Sequence, residues 1–197
     1  MLDALLVWDE RIFHLLNKAW LHPLLDRLLP FITDSRNFIL PFIIAAIIIG
    51  LVGRLRGLRF LVLAVVSVVV ADAISTYLFK SEFLRARPCI GLADVRLLVG
   101  CTNSPSFPSN HAVNASVLAT LATRYMPRFC LPAMALAFLV VYSRVYVGVH
   151  YPLDVLVGSM LGVVVALVFS RVMNFLWPLS SEPTERAHIV SLTLGEH

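Results

Sequence analysis

Hydrophobic and polar positions fall into two regimes along the chain. Over residues 1–34, apolar positions recur near helical spacing at Leu2, Leu5, Leu6, Phe13, Leu16 and Trp20, with Asp9, Glu10, Arg11 and Lys18 set among them. Charges this frequent rule out an easy membrane crossing. The pattern predicts an amphipathic helix lying in the bilayer interface, divided where Pro23 and Pro30 fall. The charges at Asp9, Glu10 and Arg11 also argue against a cleaved signal peptide.

From residue 35 the pattern changes to apolar runs, near 38–53, 58–79, 111–125, 129–142 and 155–177. Backbone polar groups in lipid must be satisfied within their own segment, so unbroken runs of this kind read as helices and not as barrel strands. The first run is about one turn short of the ~20 residues that cross a bilayer, unless its helix begins upstream. The runs at 111–125 and 129–142 are short cores that can extend into their flanks. The predicted fold is all-α: an integral membrane helical bundle of about five transmembrane helices, plus the interfacial helix. Residues 1–34 form the amphipathic segment, 35–177 the transmembrane domain, and 178–197 a cytoplasmic C-terminal tail.

Composition agrees. Hydrophobic residues make up 59% of the 197 and charged residues 14%, against about 25% charged in soluble domains, and the mean hydropathy is +0.85. The net charge of +4 contains no Lys/Arg run of the kind that binds nucleic acid. Its placement is more telling. Arg54, Arg56 and Arg59 join the first two runs, and Arg124 and Arg128 the third and fourth. Positive-inside bias puts both turns in the cytoplasm. The 80–110 and 143–154 stretches then share the opposite face, which in a bacterial inner membrane is the periplasm or cell exterior. Lys80, Arg85, Arg87, Arg96 and Arg144 stand on that face against the bias, and an anionic ligand would explain them. Asp72, the acid inside the second run, reads as a hydrogen-bonded structural carboxylate in preference to a proton relay. Three cysteines are too few for a disulfide scaffold or zinc cluster. Cys89 and Cys101 share one loop, as a bridge if that loop meets an oxidising compartment or as two free thiols otherwise; Cys130 is core.

Three polar pieces meet on the outer face. Lys80 and Arg87 are seven residues apart, about two turns, so a helical extension would place both on one side. Pro108 and Ser109 read as a helix start, with Ser109 as N-cap and His111 in the first turn. Free amides at such an end form an anion site. The third piece, Ser143–Asp154, offers Arg144 as a fork of donors, His150 as a neutral nitrogen and Asp154 as a carboxylate to orient it. Pro152 suits the first turn of a further helix. Cations, amides, a nucleophile and an acid are what metal-free phosphoryl transfer needs.

These pieces resemble the signature of the type 2 phosphatidic acid phosphatase (PAP2) superfamily, K-x6-RP, PSGH and SR-x5-H-x3-D. They read here as Lys80-x6-Arg87-Pro88, Pro108-Ser109-Asn110-His111 and Ser143-Arg144-x5-His150-x3-Asp154. The resemblance implies that His150 attacks phosphorus to form a phosphohistidine, with Asp154 fixing its tautomer. It implies that His111 protonates the leaving oxygen and then activates water. Lys80, Arg87, Ser109, Asn110 and Arg144 would hold the phosphate oxygens. Asn110 departs from the pattern, standing where the family has glycine and adding a side chain beside the phosphate. The interfacial helix stands where larger relatives have an extra span, leaving five spans in place of six. No cofactor and no metal is implied, and neither histidine sits in a metal-ligand spacing such as HExxH. The expected partners are the membrane and a lipid phosphate or diphosphate, such as undecaprenyl diphosphate or phosphatidylglycerophosphate. A lipid A phosphatase, or a phosphotransferase passing the phosphate to another lipid, are the alternatives on the same site.

Overall fold

The computed structural model describes residues 2–19 and 21–178; Trp20 and the predicted tail from 179 onward lie outside them. The described residues contain helices and no strand. The N-terminal segment forms two helices, α1 (Leu2–Lys18) and α2 (Pro23–Thr33). His22 caps α2, its Nδ1 accepting the Leu24 N–H at 3.1 Å, and Pro23 occupies the first turn. The sequence pattern predicts a second break at Pro30, but α2 runs through it to Thr33. Proline removes one helical hydrogen bond, and burial of Leu29 and Ile32 on the same helix outweighs that loss.

The amphipathic reading of α1 needs a change of sense. Asp9, Phe13 and Asn17 are buried, while Leu5, Trp8, Ile12 and Leu15 are exposed. Asp9 and Asn17 therefore face the protein together with Phe13, and an apolar face is left for lipid. Asn17 seals two loops at once, donating to the Arg96 and Tyr146 carbonyls at 2.9 and 2.8 Å and accepting the Arg96 N–H at 2.9 Å.

After a 3₁₀ turn (Ser35–Phe38) comes α3 (Ile39–Ala73), which continues into a π-helical stretch, Ile74–Lys80. A break at Arg54, with φ 48° and ψ −130°, divides α3 between the two predicted runs. The arms close on each other beside the break. A Cβ on Gly57 would lie 2.0 Å from the Ile49 carbonyl oxygen, so only glycine permits that approach. α4 is the single turn Pro88–Gly91; α5 (Asn110–Tyr125), α6 (Cys130–Tyr146) and α7 (Pro152–Leu176) complete the bundle.

Three helical stretches are long and apolar enough to cross a membrane: Ser35–Lys80, Pro127–Tyr146 and Pro152–Leu176. At 46 residues the first holds both predicted runs, whereas α5, at 16 residues, is shorter than a crossing usually needs. α5 lies inside the bundle. Its Val113, Val117 and Leu121 pack with Phe60, Leu63, Ala64 and Ala71 of α3 and Val165 and Ala166 of α7. Contact with α7 is close because Gly158 and Gly162 face it. A Cβ at Gly158 would meet the Ser109 oxygen at 2.7 Å, and one at Gly162 the Val113 oxygen at 2.3 Å. Small residues spaced four apart let two backbones approach in this way.

The bundle has two polar ends. At one, Arg59 donates to Asn174, which also accepts from the Tyr125 hydroxyl at 3.4 Å. The other end carries residues 81–109 and the 147–151 turn. There Cys89 and Cys101 form a disulfide with Cα atoms 6.3 Å apart, a closure of this length being worth about 3 kcal/mol. Leu98 N–H bonds the Val147 carbonyl at 3.2 Å, tying the loop to the turn.

Candidate active site

His150 reaches the site through a tight turn at the end of α6. Gly148 there has φ +88°, and a Cβ on it would stand 2.7 Å from the Arg96 carbonyl oxygen, so glycine is required on both counts. Val149 and His150 both donate their N–H to the Arg144 carbonyl at 3.2 Å. The chain then enters α7, with Tyr151 as N-cap, Pro152 in the first turn and Asp154 at the third position. Asp154 Oδ2 turns back to accept the Tyr151 N–H at 2.9 Å, half of a capping box.

This fixes the histidine's two nitrogens. His150 is 2% exposed and Asp154 is fully buried. The Nε2 atom stands 3.1 Å from Arg87 Nη1. A guanidinium has no acceptor, so Nε2 must hold the lone pair and Nδ1 the proton. Nδ1 faces Asp154 Oδ2 at 3.5 Å, just beyond hydrogen-bond geometry. The tautomer is the one a nucleophilic Nε2 requires.

Burial pushes the His150 imidazole down to about 4, the nearby Asp154 carboxylate only partly opposing it and the Arg144 and Arg87 charges adding to it. The ring is therefore neutral across the neutral range, its Nε2 lone pair accepting from Arg87 Nη1. Between an ordinary histidine value of about 6.5 and the folded value, the unfolded chain binds the proton and the folded chain does not. Stability contributed at this residue thus falls as pH drops through that window. In thermal melts from pH 7 to 4, wild type should lose more midpoint than His150→Asn; equal losses would contradict this.

The sequence-predicted phosphate-binding residues come from different elements. Arg87, 7% exposed, is clamped by Ser104, its Nε donating to the carbonyl at 2.9 Å and Nη2 to Oγ at 3.0 Å; Nη1 also reaches the Val149 carbonyl at 3.3 Å. Arg144, at the end of α6, donates through Nη1 to Thr33 Oγ1 of α2. Ser109 holds the N-cap position of α5, but its hydroxyl caps nothing, and its backbone N–H bonds the Asp154 carbonyl at 3.0 Å. Ser109 Oγ and Arg144 Nε are buried without a partner. Buried polar atoms nearly always find one.

Two residues sit differently from the sequence expectation. Lys80 and Arg87 do not lie on one continuous helix, since helical structure ends at Lys80 and residues 83–87 are not helical. The Pro following Arg87 disfavours helical geometry at that residue. Lys80 nevertheless shares its electrostatic surroundings with Arg87, Asp72, Asp154 and Arg144. The Asn110 side chain turns toward α3 and the π-helical stretch that follows it. Its amide donates to Asp72 Oδ1 at 2.7 Å and its carbonyl accepts from Ser75 Oγ at 2.8 Å. Asp72 thus has the structural partner its isolation demanded, and the first-turn N–H of Asn110 is the part left for an anion.

His111 lies beside Thr33 in a cavity of about 310 Å³ whose wall also holds Asp72, Asn110 and Asn114 and, further out, Phe38, Phe42, Leu118, Leu136 and Val140. Its charged neighbours are Arg144, His150 and Arg87. Sequence reasoning gave Arg85 to an anionic ligand, and gave Thr33 and Asp9 no part in the site. Thr33 holds Arg144, and Arg85 joins Asp154 to Asp9 of α1. Burial lifts the Asp9 carboxyl above its ordinary value, against the pull of the Leu153 N–H and Arg85. The available signals were an acid inside an otherwise apolar-periodic helix and a third base two residues before Arg87.

A helical membrane protein with a cationic, histidine-bearing pocket at one end of its bundle is the class this fold and site define. A model of the PAP2 superfamily matches residues 60–178, and the chain belongs to that superfamily of phosphatases. It is 25% identical over 154 residues to undecaprenyl-diphosphatase BcrC of Bacillus subtilis (strain 168), covering 78% of each chain. It is 28% identical over 171 residues to lipid A 4'-phosphatase of Porphyromonas gingivalis, covering 83% of this chain and 72% of that one. The crystal structure of a transmembrane PAP2 type phosphatidylglycerolphosphate phosphatase from Bacillus subtilis aligns with a TM-score of 0.68 at 27% identity, covering 90% of both chains.

Proposed function

We propose that the protein hydrolyses a phosphomonoester or diphosphate headgroup of a membrane lipid, through a phosphohistidine on His150, at the outer face of a bacterial inner membrane. One observation carries this reading: Ser109 Oγ and Arg144 Nε, from two different helices, are buried polar atoms without partners. Arg144 is among the charges that act on His150, and Ser109 is bonded through its N–H to the Asp154 carbonyl. An anionic oxygen satisfies both donors, and Arg87 Nη1 on Nε2 is a cation already at the nucleophile.

The steps balance as follows. Arg87 Nη1 passes from Nε2 to a phosphate oxygen. The freed lone pair forms a bond to phosphorus while the bond to the lipid oxygen breaks. His111, which enters this step as the imidazolium with the anionic headgroup beside it, gives that oxygen a proton. Asp154 stabilises the imidazolium from the Nδ1 side. His111 then takes a proton from water, whose oxygen displaces Nε2 and releases phosphate. Lys80, Arg87, Arg144, Ser109 Oγ and the Asn110 N–H hold the equatorial oxygens. Protein groups supply every charge that phosphorus develops, so the reading requires no metal. Among the described residues no three His, Cys, Asp or Glu side chains cluster as ligands.

The cavity at His111 supports a place for the lipid. Its lining joins the polar Asp72, Asn110, His111 and Asn114 to the apolar Phe38, Phe42, Leu118, Leu136 and Val140, which suits a headgroup oxygen together with an apolar chain. The three relatives are named for a prenyl diphosphate, a lipid A phosphate and a phospholipid phosphate, and all present phosphate on an apolar tail. In this reading the two arms of α3 with α5, α6 and α7 make five crossings, and α1 and α2 lie at the outer interface. Phosphate release from a panel of undecaprenyl diphosphate, phosphatidylglycerophosphate and lipid A, with and without EDTA, tests it. Release from at least one lipid, unchanged by EDTA, is expected. No release from any, loss in EDTA, or phosphate moved to an acceptor lipid with little set free would contradict hydrolysis as described.

A further inference from the structure

Asp9 has no part in the chemistry above, yet it is 2% exposed and comes from α1, outside the residues that the family model matches. Its two oxygens are used separately. Oδ1 accepts the Leu153 N–H in the first turn of α7 at 2.8 Å, and Oδ2 accepts from Arg85 Nη2 at 2.7 Å. Arg85 gives its other arm, Nη1, to Asp154 Oδ1 at 2.8 Å, and its guanidinium carbon lies 3.7 Å from the Tyr151 ring centroid. Asp154 meets His150 with its second oxygen. The result is a hydrogen-bonded line of alternating charge, Asp9–Arg85–Asp154, whose last carboxylate stands 3.5 Å from the imidazole Nδ1.

Anchoring α1 does not explain this arrangement. Burying the Asp9 carboxylate against a partly buried guanidinium is costly, and a neutral hydrogen-bonded pair would hold the helix as well. The charges matter for what Asp154 offers His150. Arg85 alone would fix the carboxylate but cancel its charge. With Asp9 on the other arm of the fork, the three groups sum to one negative charge, and Arg85 cannot swing away.

We propose that Asp9, acting through Arg85, is a positioning residue for Asp154: it holds the carboxylate in place and keeps its negative charge available to the imidazolium that forms when Nε2 bonds phosphorus. The N-terminal helix is therefore part of the catalytic unit. The proposal rests on His150 acting as nucleophile, as set out above.

Asp9→Asn isolates the charge, because asparagine keeps an oxygen for the Leu153 N–H. In the full-length protein, kcat should fall about tenfold or more while KM stays within about threefold. The melting temperature should fall as well, because the asparagine amide would meet Arg85 Nη2 donor to donor, so rates are compared below the variant's own transition. Asp9→Glu should recover most of the rate. Arg85→Ala should lose activity and regain it saturably with millimolar guanidinium, and that rescue should vanish when Asp9→Asn is added, as for two members of one coupled unit. A purely structural tie would lower stability with no such rescue. Asp9→Asn with kcat within about twofold of wild type, or equal guanidinium rescue with and without Asp9, would overturn the proposal. His150→Ala in the same assay separates the two levels. An inactive His150→Ala beside a fully active Asp9→Asn overturns the relay alone, whereas an active His150→Ala overturns the nucleophile and the relay together.

Discussion

His150→Ala is expected to lower lipid-phosphate hydrolysis by at least about 10⁴-fold while leaving a folded, membrane-extracted protein, since the nucleophile is the one group whose loss nothing else in a metal-free site replaces. The ring is fully enclosed, so its removal also leaves a small cavity, and a modest fall in melting temperature accompanies the loss of rate. The comparison that matters is between turnover and binding. Arg87, Arg144 and Ser109 remain, so the variant should still bind orthovanadate or inorganic phosphate within a few-fold of wild type. Near-normal turnover in His150→Ala would remove His150 from the chemistry. Loss of both turnover and anion binding would show that the residue holds the site together and does not act in it.

Gly162→Ala is expected to have the second-largest effect, although the residue lies eight positions along α7 from Asp154, about two turns. Its new methyl would stand 2.3 Å from the Val113 oxygen and 3.0 Å from Ser116 Cβ. The first of these is backbone and cannot rotate aside. α5 must move away from α7, and α5 carries Ser109, Asn110 and His111 at its start while α7 carries Asp154. Overpacking of this kind costs about 1–3 kcal/mol. A displacement of about 1 Å between the two halves of a site can cost 10²-fold in rate. Gly53→Ala is the matched control, since a Cβ there meets nothing within 4 Å. Equal activity in the two variants would contradict a site held by the α5–α7 contact.

How much of this was legible in the sequence differs by residue. The apolar runs gave the helices because lipid leaves the backbone no other choice, and the motif residues could be named because three fixed spacings in order seldom coincide by accident. What the spacings could not supply was the approach of elements distant in sequence. Arg85, between two more conspicuous motif residues, gained meaning only when Asp9 of α1 came to stand opposite it, 76 residues away. Thr33 was hidden in the same way at the end of α2. Asp9 and Asn17 on the inward side of α1 invert the usual rule for an amphipathic helix, because the inner neighbour of Asp9 is the partly buried Arg85. Asn110 stood in a family-glycine position and invited a reading beside phosphate. The direction of its side chain was decided by Asp72, an acid with no other way to be satisfied in an apolar helix. The Gly158–Gly162 spacing was present in the sequence and is the one strong signal that the run-by-run reading passed over.

The central claim is that phosphate passes through covalent attachment to His150. The direct measurement is to quench turnover of a ³²P-labelled lipid phosphate in alkali within the first catalytic cycle, digest the protein, and locate the label. The account predicts label on the peptide containing His150, stable in base, lost in acid and absent from His150→Ala. Label on a serine as an acid-stable ester, or turnover with no labelled protein at any time, would contradict it.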